Sequence, residues 1–344
     1  MKRLLILSLI LMALVGSASA SIDPADYAHY ADFVVNSTTT QTDFQVKMLL
    51  DNQTDYAITD VFYTNGTTRS DWLDIAWTDN SNNLLEFWKG TETATSSVWW
   101  MNISSIADDN TSAVRLHYGN VSMVTSYINA TNTFIQFHGV ASSTFHDSNV
   151  MAPPLVYEAR VRNTYASNEY LLWGVGESDN LDTSPGDSFS IMSYGAGNAR
   201  YVKSFNDGTQ NNLNEAPRFT KGTWYNLKTV IVGSANAHGY VDLNEIGAGI
   251  STSVVPNEAM GLAMHLKTGT GEQEYSFIRK YAAVDPFLTF IPSIPPAASF
   301  EITFTDTTTN LPAFWKWNAT NLLGNNTEVT VSYTHLTLPT ILLV

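Results

Sequence analysis

A period-two pattern dominates Phe44-Gln45-Val46-Lys47-Met48-Leu49-Leu50, Val114-Arg115-Leu116-His117-Tyr118, Tyr157-Glu158-Ala159-Arg160-Val161-Arg162 and Leu227-Lys228-Thr229-Val230-Ile231-Val232. A period of two sends alternate side chains to opposite faces of a strand, and clusters of Gly, Asn, Asp and Pro bound each run. No window holds a sustained apolar repeat at i, i+3, i+4 and i+7, so a helix here would have no stripe with which to dock. The chain is therefore predicted to be all-β, built of tandem β-sandwiches. It contains no cysteine. Sandwiches without disulfides must be held by core packing, which calls for domains of ordinary size and excludes zinc-thiolate sites and cysteine nucleophiles.

The first residues bear on compartment. Met1-Lys2-Arg3 is basic, Leu4 to Val15 is apolar but for Ser8, and Ala18-Ser19-Ala20 is a small-x-small cleavage site, so residues 1–20 read as a signal peptide. The apolar run is too short to span a bilayer about 30 Å thick. A secreted or cell-surface protein is expected, held to a membrane only through an anchor C-terminal to this sequence. Thirty-two acidic against seventeen basic residues give a net charge of −15, which repels phosphate backbones and argues against a nucleic-acid partner. Asn-x-Ser/Thr acceptors at Asn36, Asn52, Asn65, Asn102, Asn110, Asn120, Asn129, Asn318 and Asn325 crowd towards the N-terminal half, as on a glycosylated, archaeal-type outer surface.

Proline punctuation in Ile291-Pro292-Ser293-Ile294-Pro295-Pro296-Ala297 marks a linker at 291–297, and a less sharp boundary lies between Asn120 and Thr133. The expected division is 21–132, 133–290 and 298–330. Val331-Ser332-Tyr333-Thr334-His335-Leu336-Thr337-Leu338-Pro339-Thr340 reads as the translation of a transposon-end sequencing adapter, so residues 331–344 are set aside.

Three resemblances attach to these segments. Asp43-Phe44-Gln45-Val46, Trp72-Leu73-Asp74-Ile75-Ala76-Trp77-Thr78-Asp79, Leu85-Glu86-Phe87-Trp88, Ser97-Val98-Trp99-Trp100-Met101 and Val114-Arg115-Leu116-His117-Tyr118-Gly119-Asn120 resemble the family called domain of unknown function 2341, from about Tyr27 to Val121. That family is found in exported archaeal and bacterial proteins and implies architecture without chemistry. From about Phe134 to Phe290, Trp173-Gly174-Val175-Gly176, Gly222-Thr223-Trp224-Tyr225-Asn226-Leu227-Lys228, Gly239-Tyr240-Val241-Asp242 and Phe277-Ile278-Arg279-Lys280-Tyr281 resemble a concanavalin A-like lectin/glucanase (LamG-like) domain. This resemblance implies a jelly roll of two antiparallel sheets and a glycan or surface-protein partner. Phe304-Thr305-Asp306-Thr307-Thr308-Thr309 and Phe314-Trp315-Lys316-Trp317-Asn318 resemble the opening third of a PKD repeat.

Several constellations are candidates for chemistry. Glu272-Gln273-Glu274 places two carboxylates on one strand face, as retaining glycoside hydrolysis requires, but the third acid of the glucanase pattern is replaced by Ser276. Asp179, Asp182 and Asp187 lie in one oxygen-rich loop and are the candidate ligands for calcium; Asx turns are the alternative. No His-x-x-x-His spacing and no Gly-x-Ser-x-Gly elbow occurs. Trp173, Tyr194, Tyr201 and Tyr240 are the candidates for a concave-face ligand site, because aromatic faces stack on sugar rings. The expected function is non-catalytic binding or adhesion at the cell surface. The alternatives are a structural envelope or stalk component and a fragment of a glycan-active hydrolase.

Overall fold

The structure, a computed structural model, describes residues 22–51, 71–92, 96–120, 122–123, 127–165, 169–182, 186–195, 199–207, 209–215, 218–233, 236–247, 250–251, 254–291, 317–320 and 326–329. They belong to two compact units, 1–293 and 294–344. In the first unit the elements are β1 (His29–Asn36), β2 (Gln41–Asp51), β3 (Ala76–Asp79), β4 (Glu86–Glu92), β5 (Ser96–Ile106), β6 (Ala113–Tyr118), a single-turn helix α1 (Ala130–Thr133), β7 (Gln136–His138) and β8 (Phe145–His146). They continue as β9 (Leu155–Asn163), β10 (Tyr170–Gly176), β11 (Ser188–Tyr194), β12 (Ala199–Asn206), β13 (Thr209–Glu215), β14 (Trp224–Val232), β15 (Asn236–Val241) and β16 (Asn244–Glu245). The last four are β17 (Ile250–Ser251), β18 (Gly261–Thr268), β19 (Gly271–Lys280) and β20 (Phe287–Ile291). Among the described residues the only other helix is a 3-10 turn at Pro24–Asp26. The all-β expectation holds.

Two sandwiches make up this unit. The first faces a sheet ordered β20-β1-β6-β3 with one ordered β2-β5-β4. The alternation seen in the sequence sets its core: β2 buries Phe44, Val46, Met48 and Leu50 and turns Lys47 outward. Phe33 and Trp77 of the facing sheet, with Phe87 and Trp99 of the same sheet as β2, complete this core. The strand that completes the four-stranded sheet comes from the far end of the unit. β20 pairs antiparallel with β1, placing Phe290 opposite Phe33 and Leu288 opposite Val35, and Leu288 enters this core. The expected domain limits are corrected accordingly: residues 287–291 serve the first sandwich, because the edge of β1 away from β6 carries backbone groups that need partners.

The second sandwich is the jelly roll, a sheet ordered β13-β12-β11-β10-β18-β8 against one ordered β16-β15-β14-β9-β19-β7, with β17 beside β15. Tyr157, Val161, Trp173, Phe189, Ile191, Val202, Ile231 and Ile278 lie buried between them. Within the six-stranded sheet, a methyl group at Gly174 would collide with the Phe189 carbonyl oxygen of the adjacent β11; only a residue without a Cβ fits there.

The sandwiches meet through outward faces. Trp88 and Trp100 of the three-stranded sheet pack on Phe134, Phe137, Tyr275 and Phe277, with Phe134 stacked on Phe277 at 3.9 Å and Trp88 edge-on to Tyr275 at 4.9 Å between ring centroids. Arg279 is 2 % exposed beneath this cluster and is neutralised by Glu158 at 3.0 Å and Asp285 at 2.8 Å. Lys280 binds back to the first sandwich, its N–H to the Gln45 side-chain oxygen and its ammonium to the Thr42 carbonyl.

In the second unit the described residues form one hairpin, β21 (Trp317–Thr320) with β22 (Asn326–Val329). The expected signal peptide, residues 292–297 of the linker, the tail 331–344, Asn52, Asn65 and Asn325 lie outside the described residues, as do most of 298–330 and the Asn318 side chain. Among the described residues no helix is long and apolar enough to cross a membrane.

Candidate functional site

The outer face of the six-stranded sheet carries the most distinctive surface. Registry places Tyr170 opposite Tyr194, Leu172 opposite Met192, and Met192 opposite Tyr201. Side chains directly across adjacent strands share a face, so the three tyrosines converge. Their rings meet edge to face, Tyr170–Tyr194 at 5.3 Å and Tyr194–Tyr201 at 6.0 Å. They rest on Leu172, Leu181, Met192 and Ala263 and stay half-buried, with one side open to water.

Leu181 reaches this face because the segment after β10 folds back over the sheet. Glu177 and Asp187 clasp its two ends: the Glu177 N–H donates to the Asp187 carbonyl at 3.0 Å and the Asp187 N–H to the Glu177 carboxylate at 2.8 Å. Asp182 then lands beside the tyrosines. Its carboxylate accepts hydrogen bonds from the Tyr170 hydroxyl, from Lys203, and from Lys267 at 2.5 Å. Burial opposes its ionisation, but the bonds from Lys203, Lys267 and Tyr170 prevail and hold its pKa at about 2. Burial, reinforced by Asp182, pushes the Tyr170 hydroxyl well above the ordinary phenol range, so it stays a donor. The side chains of Asp182 and Lys203 are almost enclosed, whereas that of Lys267 is 51 % exposed and lies 4.7 Å from the Tyr170 ring centre. The result is an aromatic shelf with a fixed charge network and one accessible ammonium at its rim.

The candidate residues fare unequally against this geometry. Tyr194 and Tyr201 are brought together. Trp173 is not: it is fully buried between the sheets, opposite Ile191 and Met264 and 5.9 Å from the Phe219 ring. The expectation of Trp173 on the binding face is corrected because it sits one residue out of phase with Tyr170 and Leu172. Tyr240 belongs to the other sheet, on β15, where it stacks beside His238 at 6.4 Å. The aspartate trio does not form a cation cage. Asp182 is occupied by two ammonium groups, while Asp187 accepts the N–H groups of Asp207 at 3.1 Å, Asn257 at 2.5 Å and Glu258 at 2.9 Å. At Asp179 it is the backbone carbonyl that is engaged, by His265. Among the described residues no three His, Asp or Glu side chains are gathered as a metal site.

Glu272 and Glu274 lie on the outer face of the seven-stranded sheet, at a register shift in β19. Glu272 pairs with Arg162 at 2.5 Å and Glu274 with Arg160 at 2.8 Å. Both guanidinium groups also lie against the Trp224 ring, at 5.5 Å for Arg160 and 4.6 Å for Arg162. Each carboxylate thus has its own cation.

Tyr170, Lys203 and Lys267 were missed in the sequence. Tyr170-Leu171-Leu172-Trp173 is apolar without alternation, since Leu181 covers one face of β10 and the core covers the other. The buried lysine is legible only once Asp182 is known to lie against it.

A family profile described as a domain of unknown function (DUF2341) matches residues 71–150. The match begins within the segment of resemblance and runs past residue 121 through α1, β7 and β8, so it includes edge strands of both jelly-roll sheets. No curated protein matches the chain. Among solved structures, a galectin from Caenorhabditis elegans is similar at 12 % identity and a TM-score of 0.32 over 44 % of this chain and 98 % of its own. A carbohydrate-binding module from Bacillus subtilis is similar at 11 % identity and a TM-score of 0.32 over 42 % of this chain and 98 % of its own. A Bacillus licheniformis beta-glucanase is similar at 10 % identity and a TM-score of 0.29 over 42 % of this chain and 70 % of its own.

Proposed function

We propose that the chain is an exported, non-catalytic surface protein that binds glycan on the tyrosine shelf of its jelly roll. The observation that carries this reading is the convergence of Tyr170, Tyr194 and Tyr201, half-exposed on an apolar base, beside the exposed ammonium of Lys267. Aromatic faces take up the C–H faces of sugar rings, and a fixed polar group at the rim orients the hydroxyls. The ammonium of Lys203 and the carboxylate of Asp182 hold the shelf rigid, which lowers the ordering cost of binding. Binding without turnover is supported by the pairing of Glu272 and Glu274 with separate arginines, since a general acid must keep its proton at working pH and a nucleophile must be free.

The test is a glycan array probed with the full chain, followed by reducing-end analysis of every retained glycan. Retention without product, weakened about tenfold or more by Tyr194→Ala or Tyr201→Ala, is the expected outcome. Reducing ends that appear with the wild type and vanish in Glu272→Gln or Glu274→Gln would overturn it, as would retention indifferent to both tyrosines.

A further inference from the structure

One border of the first sandwich lacks the protection found along the others. In the first unit, among described strands of four residues or more, those at sheet edges are β2, β3, β4, β13 and β20. The first four all carry Asp, Glu or Lys. β20 reads Phe-Leu-Thr-Phe-Ile and carries no ionisable side chain. An edge strand offers unpaired N–H and C=O groups to any other strand, and charges are the usual deterrent. Phe287 and Ile291 are 55 % and 39 % exposed on the outer face of β20, with Thr289 exposed between them, while Leu288 turns into the core.

Backbone phase shows which groups are free. The Val35 N–H donates to the Ser112 carbonyl, so Val35 faces β6, and its neighbours Val34 and Asn36 turn their backbone groups to β20. Registry sets Val34 opposite Thr289 and Asn36 opposite Phe287. Phe287, Thr289 and Ile291 therefore bond to β1, and the N–H and C=O groups of Leu288 and Phe290 point to the open edge. Pro286 and Pro292, the next positions in that phase, have no N–H. The open edge is short and is closed by proline at both ends.

This pattern is self-complementary. When a second β20 runs antiparallel about a two-fold axis at Thr289, Leu288 of one copy faces Phe290 of the other, and every N–H and C=O of both residues is paired. An axis at Leu288 or at Phe290 sets the other of the two against a proline and leaves its carbonyl unbonded. On the outer face the register centred on Thr289 puts Phe287 opposite Ile291 and Thr289 opposite its own copy, pairs of a kind that favour strand association. Charge selects the same place. A chain of net charge −15 repels its copy, and contact is least opposed along an edge that brings no charges together. On the adjoining β1 the Asp32 carboxylate is already neutralised by Arg115, at 2.6 and 3.0 Å.

We propose that β20 is a self-association edge, through which two copies of this chain form a closed two-fold dimer with one sheet running through both first sandwiches. The proposal is independent of the tyrosine shelf. Sedimentation equilibrium of the full chain, from about 1 to 200 μM, tests it. The weight-average mass is expected to rise with concentration to twice that of the monomer and no further, because an isologous contact uses the same edge of both copies. Thr289→Lys and Thr289→Glu, at an exposed position outside the core, should each weaken the dimer about tenfold or more, since like charges then face each other across the axis. An equal mixture of the two variants should recover the dimer, which a mere defect in folding would not allow. A chain monomeric throughout, association indifferent to both substitutions, growth beyond the dimer, or a mixture no better than its components would overturn the proposal.

Discussion

The two outer faces of the jelly roll handle charge in opposite ways. On the six-stranded sheet, Asp182 is drawn out of water and ringed by Lys203, Lys267 and Tyr170, with apolar side chains and tyrosines around it. On the seven-stranded sheet, Glu272 and Glu274 pair one to one with Arg162 and Arg160 in partly exposed positions. The first sandwich covers part of that face, at Phe277 and Tyr275. The first face is a preorganised surface left open; the second is partly consumed in joining two sandwiches. A buried charge network is costly to break and fixes geometry, whereas a solvated ion pair contributes little to either.

The largest expected effect concerns the join. Ending the chain after Pro286 removes β20, exposes the edge of β1 and takes Leu288 from the first core. The first sandwich should then lose its cooperative thermal transition while the jelly roll keeps its own. A single unchanged transition would mean that β20 is dispensable and that the two sandwiches are coupled only through their aromatic contact.

Next comes a direct comparison of the two faces. Asp182→Asn leaves Lys203 buried without its carboxylate and should cost about 3–5 kcal/mol, against less than about 1 kcal/mol for Glu272→Gln. Chemical denaturation of both variants measures the difference. Equal costs would erase the distinction between a preorganised and a solvated face.

A smaller effect should appear with pH inside the first sandwich. His117 is buried within 3.1 Å of the Thr78 hydroxyl. Burial, with Arg115 adding to it, lowers its pKa to about 4. The unfolded chain takes up the proton below about pH 6.5 and the native chain does not until about 4. Stability contributed by the neutral ring is therefore present above pH 6.5 and lost as pH falls through this window, by up to about 3 kcal/mol. The difference in stability between wild type and His117→Gln, followed from pH 7 to 4, should shrink by that amount. Asp182 adds its own loss only below about pH 4, since its pKa is depressed to about 2.

The smallest effect concerns glycosylation and leaves stability nearly untouched. Asn110, Asn120 and Asn129 use their side-chain oxygens as acceptors. Asn36 and Asn102 instead donate through Nδ2, to Thr289 at 2.7 Å and to the Asn132 carbonyl at 3.3 Å. Because Nδ2 is the atom that would carry sugar, peptide mass spectrometry from a glycosylating host should find occupancy at the first three and not at the last two. Sugar on Asn36 would also argue against the β20–β1 pairing, which its amide helps to hold.

Local pattern determined a good deal of this protein. Period-two runs such as Val114 to Tyr118 and Leu227 to Val232 became strands with the expected faces buried, because alternation on a half-buried strand is itself the record of which face meets the core. Where a strand is covered on both sides, as Tyr170 to Gly176 is, that record is blank. Trp173 and Tyr170 are then indistinguishable until strand registry assigns one to the core and the other to the shelf. The same holds for the acidic loop: the sequence places Asp179, Asp182 and Asp187 close together, but Lys203 and Lys267 reach Asp182 across other strands, and the N–H groups of Asn257 and Glu258 reach Asp187 from another loop. The return of β20 to β1 joins residues more than 250 positions apart, as Asn36 and Thr289 show. Secondary structure follows from neighbours along the chain; which faces stay open, which charges meet and which sandwich a strand completes follow from long-range pairing, and that was decided only by the tertiary fold.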